Sequence, residues 1–208
     1  MSNLVFYTNP MSRGRIARWM LEEVGEPYET VLLDYGTTMK GADYLAINPM
    51  GKVPAIRHNG TVVTETAAIC AYLADAFPDA GLAPPTDARG DYYRWLFYAA
   101  GPVEAAVTNK ALQVSFPEEK KALVGYGSFD EVIATLEYAV SRAPYIAGER
   151  FSAADVYVGS QIGWGMMFGS IEKRPAFVDY VGRLHARPAY ARAQEADNEA
   201  MPKQTEEA

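Results

Sequence analysis

The sequence predicts an α/β domain followed by an all-helical domain in a chain of 208 residues. Two observations predict this order. Strand-like and helix-like patterns alternate over about the first third of the chain, and no convincing strand alternation follows the turn-rich segment Pro78–Pro85. We therefore predict an N-terminal domain at 1–78, a linker at 79–86 and an all-helical C-terminal domain at 87–208.

The N-terminal domain opens with a βαβ unit. Leu4–Thr8 is rich in β-forming residues, and apolar residues then repeat every four positions over 16–24. Tyr28–Asp34 alternates as a second strand. Because a helix separates the two strands, we expect a right-handed parallel crossover between them.

The sequence of the rest of the first domain predicts a short helix, a hairpin and a helix. The short helix is predicted at Lys40–Ile47. Asn59-Gly60 is a strong hairpin signal, so Ala55–Arg57 is expected to pair with Val62–Thr64. Thr66–Phe77 has helical spacing and ends before a proline. The order βαβ, short helix, ββα predicts a thioredoxin-like domain.

The second half shows only helix signals. Asp87–Leu112 reads as one long helix with a kink at Gly101-Pro102, because proline lacks a backbone donor. Ser128-x-x-Glu131 and Ser152-x-x-Asp155 are capping boxes that open two further helices. Prolines favour the first turn of a helix, and two later helices are expected to begin at Pro175 and Pro188.

Composition excludes several classes of function. The net charge of −7 argues against nucleic acid or an anionic membrane as the main partner, since both need clustered Lys and Arg. A single cysteine, Cys70, excludes an intramolecular disulfide and a Cys-x-x-Cys pair. With only His58 and His185 besides, we expect no metal site.

The sequence also predicts a cytoplasmic protein. The chain starts without the basic and apolar regions of a secretory signal. The longest uncharged stretch, Val156–Ile171, is too short and too rich in glycine to span a membrane.

Four segments carry motifs whose order and spacing are informative, and these are Asn9–Arg15, Asn48–Ile56, Thr64–Ile69 and Ser152–Asp155. Together they resemble the soluble glutathione S-transferases, and most closely the bacterial and fungal members with a serine–arginine pair at the first helix. The resemblance covers nearly the whole chain. It implies glutathione as co-substrate, which fits a thioredoxin-like domain with no Cys-x-x-Cys pair of its own.

The resemblance implies that Ser12 is the catalytic donor to the glutathione sulfur. A hydroxyl at a helix start stabilises a thiolate by hydrogen bonding, and the unpaired N–H groups there favour an anion. Asn9 is the second candidate, and Thr8 or Tyr7 lie close enough to serve instead. Ser12 as a simple helix N-cap is the alternative interpretation. Arg13 and Arg15 lie one turn from the sulfur site and could raise the local potential, although at least one of them is expected to pair with an acid such as Glu22 or Glu23.

The resemblance also assigns the glutathione-binding residues. Val53-Pro54 matches a cis-proline step that pairs with the cysteinyl backbone, although a proline at an edge strand is the ordinary alternative. Glu65 and Thr66 begin a helix and would hold the γ-glutamyl group of glutathione. The ordinary alternative is that Glu65 is a solvated side chain and Thr66 is a helix cap. Lys52, or less favourably Lys40, is the candidate for the glycyl carboxylate.

The family resemblance further implies a homodimer. Glu104 resembles the position from which some members send an acid across the dimer, with a solvated glutamate as an equal alternative and Asp91 as a weaker candidate. The electrophile site is expected in the helical half, where a wall of aromatic and methionine side chains is available: Tyr92, Tyr93, Trp95, Tyr98, Met166, Met167 and Phe168.

The predicted function is transfer of the glutathione thiolate to a small hydrophobic electrophile. Two alternatives remain open at this point. One is a glutathione-dependent disulfide reductase, peroxidase or isomerase, and the other is a non-catalytic binding module that keeps the fold.

Overall fold

The computed structural model describes residues 3–202, which divide into two compact units. The first unit holds the chain up to Ala76 together with the segment from Arg187 onward. The second unit holds Phe77–Ala186. Among the described residues, no helix has the length and apolar character to cross a membrane.

A mixed four-stranded sheet forms the base of the first unit, as far as the chain is described. Its strands, in the spatial order β2-β1-β3-β4, are β1 (Leu4–Thr8), β2 (Glu29–Leu32), β3 (Ala55–His58) and β4 (Thr61–Thr64). The β1–β2 pair is parallel, as expected for two strands joined through a helix, and the other two pairs are antiparallel. All five residues of β1 are buried, so both faces of this central strand are covered.

Three helices alternate with these strands and complete the thioredoxin-like order. They are α1 (Gly14–Val24), α2 (Ala42–Leu45) and α3 (Thr66–Ala76). The apolar faces of α1 and α3 supply much of the core, including the fully buried Ile16, Met20, Ile69 and Leu73. The short helix α2 spans fewer residues than the predicted Lys40–Ile47, since a separate 3₁₀ turn occupies Thr38–Lys40.

The predicted hairpin between β3 and β4 is confirmed with its register. Ala55 lies opposite Thr64, and Arg57 lies opposite Val62. Asn59 and Gly60 connect the strands with φ values of 49° and 88°. This pair of positive φ angles is typical of the turn whose twist matches two antiparallel strands.

Five helices are described in the second unit, and these are α4 (Gly90–Tyr98), α5 (Glu104–Ala111), α6 (Phe129–Val140), α7 (Ala153–Phe168) and α8 (Pro175–His185). The predicted long helix at Asp87–Leu112 is divided, with a π-helical stretch at Ala99–Val103 between α4 and α5. Pro102 lies within that stretch, and its missing N–H explains why regular α-helical bonding is interrupted there. The predicted helix starts at Pro175 and at the two capping boxes are confirmed.

The last helix, α9 (Pro188–Glu199), departs from the predicted domain division. The sequence assigned residues 87–208 to the helical domain, whereas α9 lies in the first unit and packs against α1. A buried ion pair joins the two helices, with Arg18 Nε 2.7 Å from Asp197 Oδ1. Trp19 and Tyr190 add an edge-to-face contact with their ring centres 5.0 Å apart.

Candidate functional site

One end of the sheet collects most of the predicted site residues. Tyr7 of β1 lies opposite Ala55 of β3, and Ala55 lies opposite Thr64 of β4. The chain therefore leaves β1, enters β3 and leaves β4 at the same edge. Three segments meet there, and they carry Asn9 and Ser12, then Val53 and Pro54, then Glu65 and Thr66.

The Ser12 hydroxyl lies in the turn between β1 and α1. Its Oγ donates to the backbone carbonyl of Asn9 at 2.6 Å and accepts from the N–H of Gly14 at 2.9 Å. The helix itself begins at Gly14, two residues later than the position of Ser12. Ser12 is half-buried and its hydroxyl faces the first N–H groups of α1, where a partial positive charge favours anions.

The three alternative sulfur donors are more deeply placed than Ser12. The amide of Asn9 is buried, donating to Leu33 O at 2.8 Å and accepting from Met11 N at 2.9 Å. Thr8 is fully buried, and its Oγ1 has no hydrogen-bond partner among the described atoms. Tyr7 is buried with its ring tilted against Tyr44. Ser12 is the most accessible of the four candidates.

Gly14 is required for this arrangement. A Cβ at residue 14 would lie 1.9 Å from Thr8 Oγ1 and 2.9 Å from Ser12 Oγ. Both distances are shorter than van der Waals contact, so only glycine lets α1 start this close to the end of β1.

The segment before β3 is held by two side chains, one of which, Tyr44, the sequence patterns did not single out. The Tyr44 hydroxyl and the Asn48 amide each donate to the Lys52 carbonyl at 2.7 Å. Burial raises the pKa of Tyr44 to about 12, so its hydroxyl stays protonated and able to donate. The Val53-Pro54 peptide bond that follows is cis, as predicted.

Lys52 and Lys40 differ in how their ammonium groups are used. Lys40 Nζ donates to the Gly51 carbonyl at 2.7 Å and to the Met50 carbonyl at 3.3 Å. Lys52 extends an exposed side chain from the same loop. The Lys40 ammonium is therefore used to hold the loop. Lys52 is the better candidate of the two for binding the glycyl carboxylate.

Glu65 and Thr66 form the junction between β4 and α3. Glu65 is exposed and has a φ of 65°, in the left-handed region that residues other than glycine rarely occupy. Such strained residues concentrate at ligand sites. Thr66 is buried at the first position of α3, where its backbone N–H and hydroxyl lie at the positive end of the helix.

Glu104 lies in the other compact unit, at the first residue of α5. It is half-buried, and its Oε2 accepts from the Gln161 side chain at 3.4 Å. The bond comes from within its own unit. Glu104 is therefore not the fully solvated glutamate of the alternative interpretation, because it is half-buried and hydrogen-bonded.

The predicted aromatic wall is only partly available for a ligand. Tyr92 and Trp95 are core residues, whereas Tyr93, Met167 and Phe168 are exposed. An open cavity of about 590 Å³ lies elsewhere in the second unit, and its lining includes Val114, Phe116, Tyr126 and Phe129. None of these four residues was singled out by the sequence.

The single cysteine of the chain is a core residue. Cys70 is fully buried in α3, and burial raises the pKa of its thiol, which makes the reactive thiolate unfavourable. Residues 3–202 contain no group of three or more His, Cys, Asp or Glu side chains arranged to hold a metal ion.

The sequence is similar to a known family model and to a curated relative. The family model for the glutathione S-transferase N-terminal domain matches residues 11–76. Glutathione S-transferase GstA of Escherichia coli O157:H7 is 30% identical over 174 residues, covering 81% of this chain and 86% of that protein.

Solved structures are similar over nearly the full length. A glutathione transferase from Methylococcus capsulatus str. Bath has 30% identity and a TM-score of 0.76, covering 94% of this chain and 98% of that one. A glutathione transferase homologue from Sulfitobacter, crystallised with bound glutathione, has 28% identity and a TM-score of 0.74, covering 94% and 99%.

Proposed function

The chain belongs to the glutathione S-transferase family, and we propose that it forms the glutathione thiolate beside Ser12 and transfers it to a small hydrophobic electrophile. The observation that carries this proposal is the meeting of Ser12, Val53-Pro54 and Glu65-Thr66 at one end of the sheet. The Sulfitobacter homologue binds glutathione. We assign the same ligand to this chain.

Ser12 supplies the hydrogen bond to sulfur. Its hydroxyl donates a hydrogen bond to the Asn9 carbonyl. The same carbonyl also accepts from the Ser12 N–H at 3.1 Å. The hydroxyl can therefore turn to a sulfur while that carbonyl keeps one bond. The Gly14 N–H continues to donate to Oγ and makes the O–H a stronger donor. Each bond to the charged form lowers the thiol pKa.

The cis Val53-Pro54 step holds the cysteinyl part of glutathione. We assign the Val53 backbone to pairing with the ligand in the manner of an added strand. Its position is fixed by the two bonds that the preceding carbonyl of Lys52 accepts. The exposed Lys52 ammonium then pairs with the glycyl carboxylate.

Glu65 and Thr66 bind the γ-glutamyl end. The Thr66 N–H and hydroxyl at the start of α3 are donors for its carboxylate, and the Glu65 carboxylate accepts from its ammonium. The left-handed conformation of Glu65 turns the chain sharply between β4 and α3. Adjacent residues thus bind the two oppositely charged groups of the γ-glutamyl end, its carboxylate and its ammonium.

The chemical step needs little from the protein beyond positioning. The sulfur lone pair forms a bond to an electrophilic carbon, and the leaving group departs with the bonding electrons. In an addition to an α,β-unsaturated carbonyl, a proton from water completes the product instead. Thiolate stabilisation and orientation therefore account for the catalysis that we assign.

We further propose a homodimer in which Glu104 reaches the γ-glutamyl ammonium of the partner's ligand. Two-fold symmetry makes such a contact reciprocal, so the Glu104 side chain of each subunit would meet the ligand of the other. The cytoplasmic location remains a prediction from the sequence.

An activity panel tests the reaction class. Purified protein is assayed with glutathione against an aryl halide, an α,β-unsaturated carbonyl, a hydroperoxide and a mixed disulfide. Turnover of either of the first two supports conjugation if it is lowered about tenfold in Ser12→Ala and kept in Ser141→Ala, the control at an exposed serine that ends α6. Turnover of the hydroperoxide or the mixed disulfide alone contradicts it, and glutathione binding with no turnover of any substrate supports a binding module instead.

A further inference from the structure

We propose that Arg15 is a positioning residue through which the C-terminal helix α9 holds the Asn9–Ser12 turn in place for thiolate formation. The inference rests on the proposed role of Ser12. It adds a part of the chain, some 180 residues distant in sequence, to the machinery of the sulfur site.

The turn is held by its backbone carbonyls. The Asn9 carbonyl accepts from Ser12, the Pro10 carbonyl accepts from Arg15 Nε at 2.6 Å, and the Met11 carbonyl accepts from the Tyr35 hydroxyl at 3.2 Å. Three successive carbonyls are thus anchored. The bond from Arg15 is the shortest of those made by residues outside the turn, and a charged donor makes it a strong one.

The rest of the Arg15 guanidinium is bound to α9. Nη1 donates to Gln194 Oε1 and Nη2 donates to Asn198 Oδ1, both at 2.9 Å. Gln194 and Asn198 are four residues apart and therefore share one helix face. The planar fork of arginine satisfies three acceptors at once, which a lysine ammonium on a flexible stem cannot reproduce.

α9 is a firm support because other contacts fix it to α1. The Arg18–Asp197 ion pair is buried on both sides. Arg187 makes two bonds to the Glu23 carboxylate, at 2.7 and 2.8 Å. A movement of α9 relative to α1 would break these contacts, so the position of Gln194 and Asn198 relative to the turn is well defined.

The acceptors of Arg15 also indicate its role. All three are neutral oxygens, two from side-chain amides and one from a backbone carbonyl. An arginine that served only as a source of positive potential would not need this fitted arrangement. The geometry points to orientation of the turn, and through it of the Ser12 hydroxyl.

The test compares Arg15→Lys, the double variant Gln194→Ala/Asn198→Ala and a control, Arg192→Lys. Arg192 is the matched residue, since it also joins α9 to α1 with two bonds, both to Glu22, and its contacts lie away from the turn. The readout is the apparent pKa of the bound glutathione thiol, followed by thiolate absorbance. Thermal unfolding of each variant reports any general loss of structure.

We expect Arg15→Lys and the double variant to raise that pKa by about one unit, a tenfold loss of thiolate below the pKa. The control should keep the wild-type value. In a Ser12→Ala background, Arg15→Lys should cause no further shift, because the effect passes through Ser12. An unchanged pKa in Arg15→Lys, or a shift that adds fully to that of Ser12→Ala, overturns the inference.

A second measurement separates this inference from the assignment of Ser12. Amide hydrogen exchange over residues 11–14 should be faster in Arg15→Lys and in the double variant than in Arg192→Lys. If Ser12→Ala leaves the thiol pKa unchanged, the sulfur donor is wrong, and exchange still reports on the turn. Equal exchange in all three variants would refute the positioning role whichever residue meets the sulfur.

Discussion

Removing the Asp155 carboxylate should destabilise the protein far more than removing its counterpart Glu131. Both residues close a capping box at the start of a helix, with Ser152 at α7 and Ser128 at α6. The two boxes differ in burial: Asp155 is fully buried, and the Glu131 box is exposed. Asp155→Ala and Glu131→Ala are therefore a matched pair.

The expected magnitude follows from the donors that Asp155 satisfies. Its oxygens accept from Ile146 N at 2.7 Å, Tyr180 OH at 2.8 Å, and the backbone N and hydroxyl of Ser152 at 2.9 and 3.0 Å. Burial raises the pKa of Asp155, and these bonds oppose that rise. Each buried donor left without a partner costs roughly 1–3 kcal/mol, so we expect a loss of about 4 kcal/mol after partial relaxation.

Equilibrium denaturation monitored by circular dichroism measures this difference. The free energy of unfolding should fall steeply in Asp155→Ala and change little in Glu131→Ala, because water replaces the bonds lost at an exposed box. The denaturant dependence must stay constant for the comparison to hold. Equal destabilisation of the two variants would refute the argument that burial sets the cost of losing a cap.

Three further predictions address the ligand, the assembly and the dependence on pH. Thr66→Ala should weaken glutathione binding about tenfold by calorimetry, with Thr61→Ala at the opposite end of β4 as control; wild-type affinity in both would reject the α3 site. Light scattering should report close to twice 22.8 kDa, and Glu104→Gln should weaken glutathione binding without unfolding; a monomer with full affinity would reject the shared site. Burial lowers the pKa of His185. As the pH drops below about 6.5, the unfolded chain therefore binds a proton at this residue before the folded chain does, and stability should fall. His185→Gln should flatten that decline, and an unchanged pH profile would contradict this prediction.

Local sequence signals account well for the first unit. The β3–β4 hairpin was predictable with its register, since Asn59-Gly60 specifies both the turn and the pairing of the residues beside it. The helix starts at Ser128 and Ser152 were predictable for the same reason. In each case the residues that determine the structure are neighbours in sequence.

The position of α9 could not be predicted in this way. Its attachment depends on Arg18 and Asp197, which are 179 residues apart. The sequence pattern of each helix shows that it has a buried face but does not indicate which helix packs against that face. Tyr35, which supports the turn at Met11, is likewise an ordinary loop residue in the sequence. Long-range polar contacts of this kind become visible only when the fold brings the two ends of the chain together.

The most direct test of the account is the thiol titration of glutathione bound to Ser12→Ala. The bound thiol pKa is read from thiolate absorbance across a pH series, with saturating glutathione in each sample. Loss of the Ser12 hydrogen bond should raise that pKa by about one unit, or about 1.4 kcal/mol, while glutathione affinity changes much less. A titration curve that coincides with the wild type would contradict the account and transfer the role to Asn9, Thr8 or Tyr7.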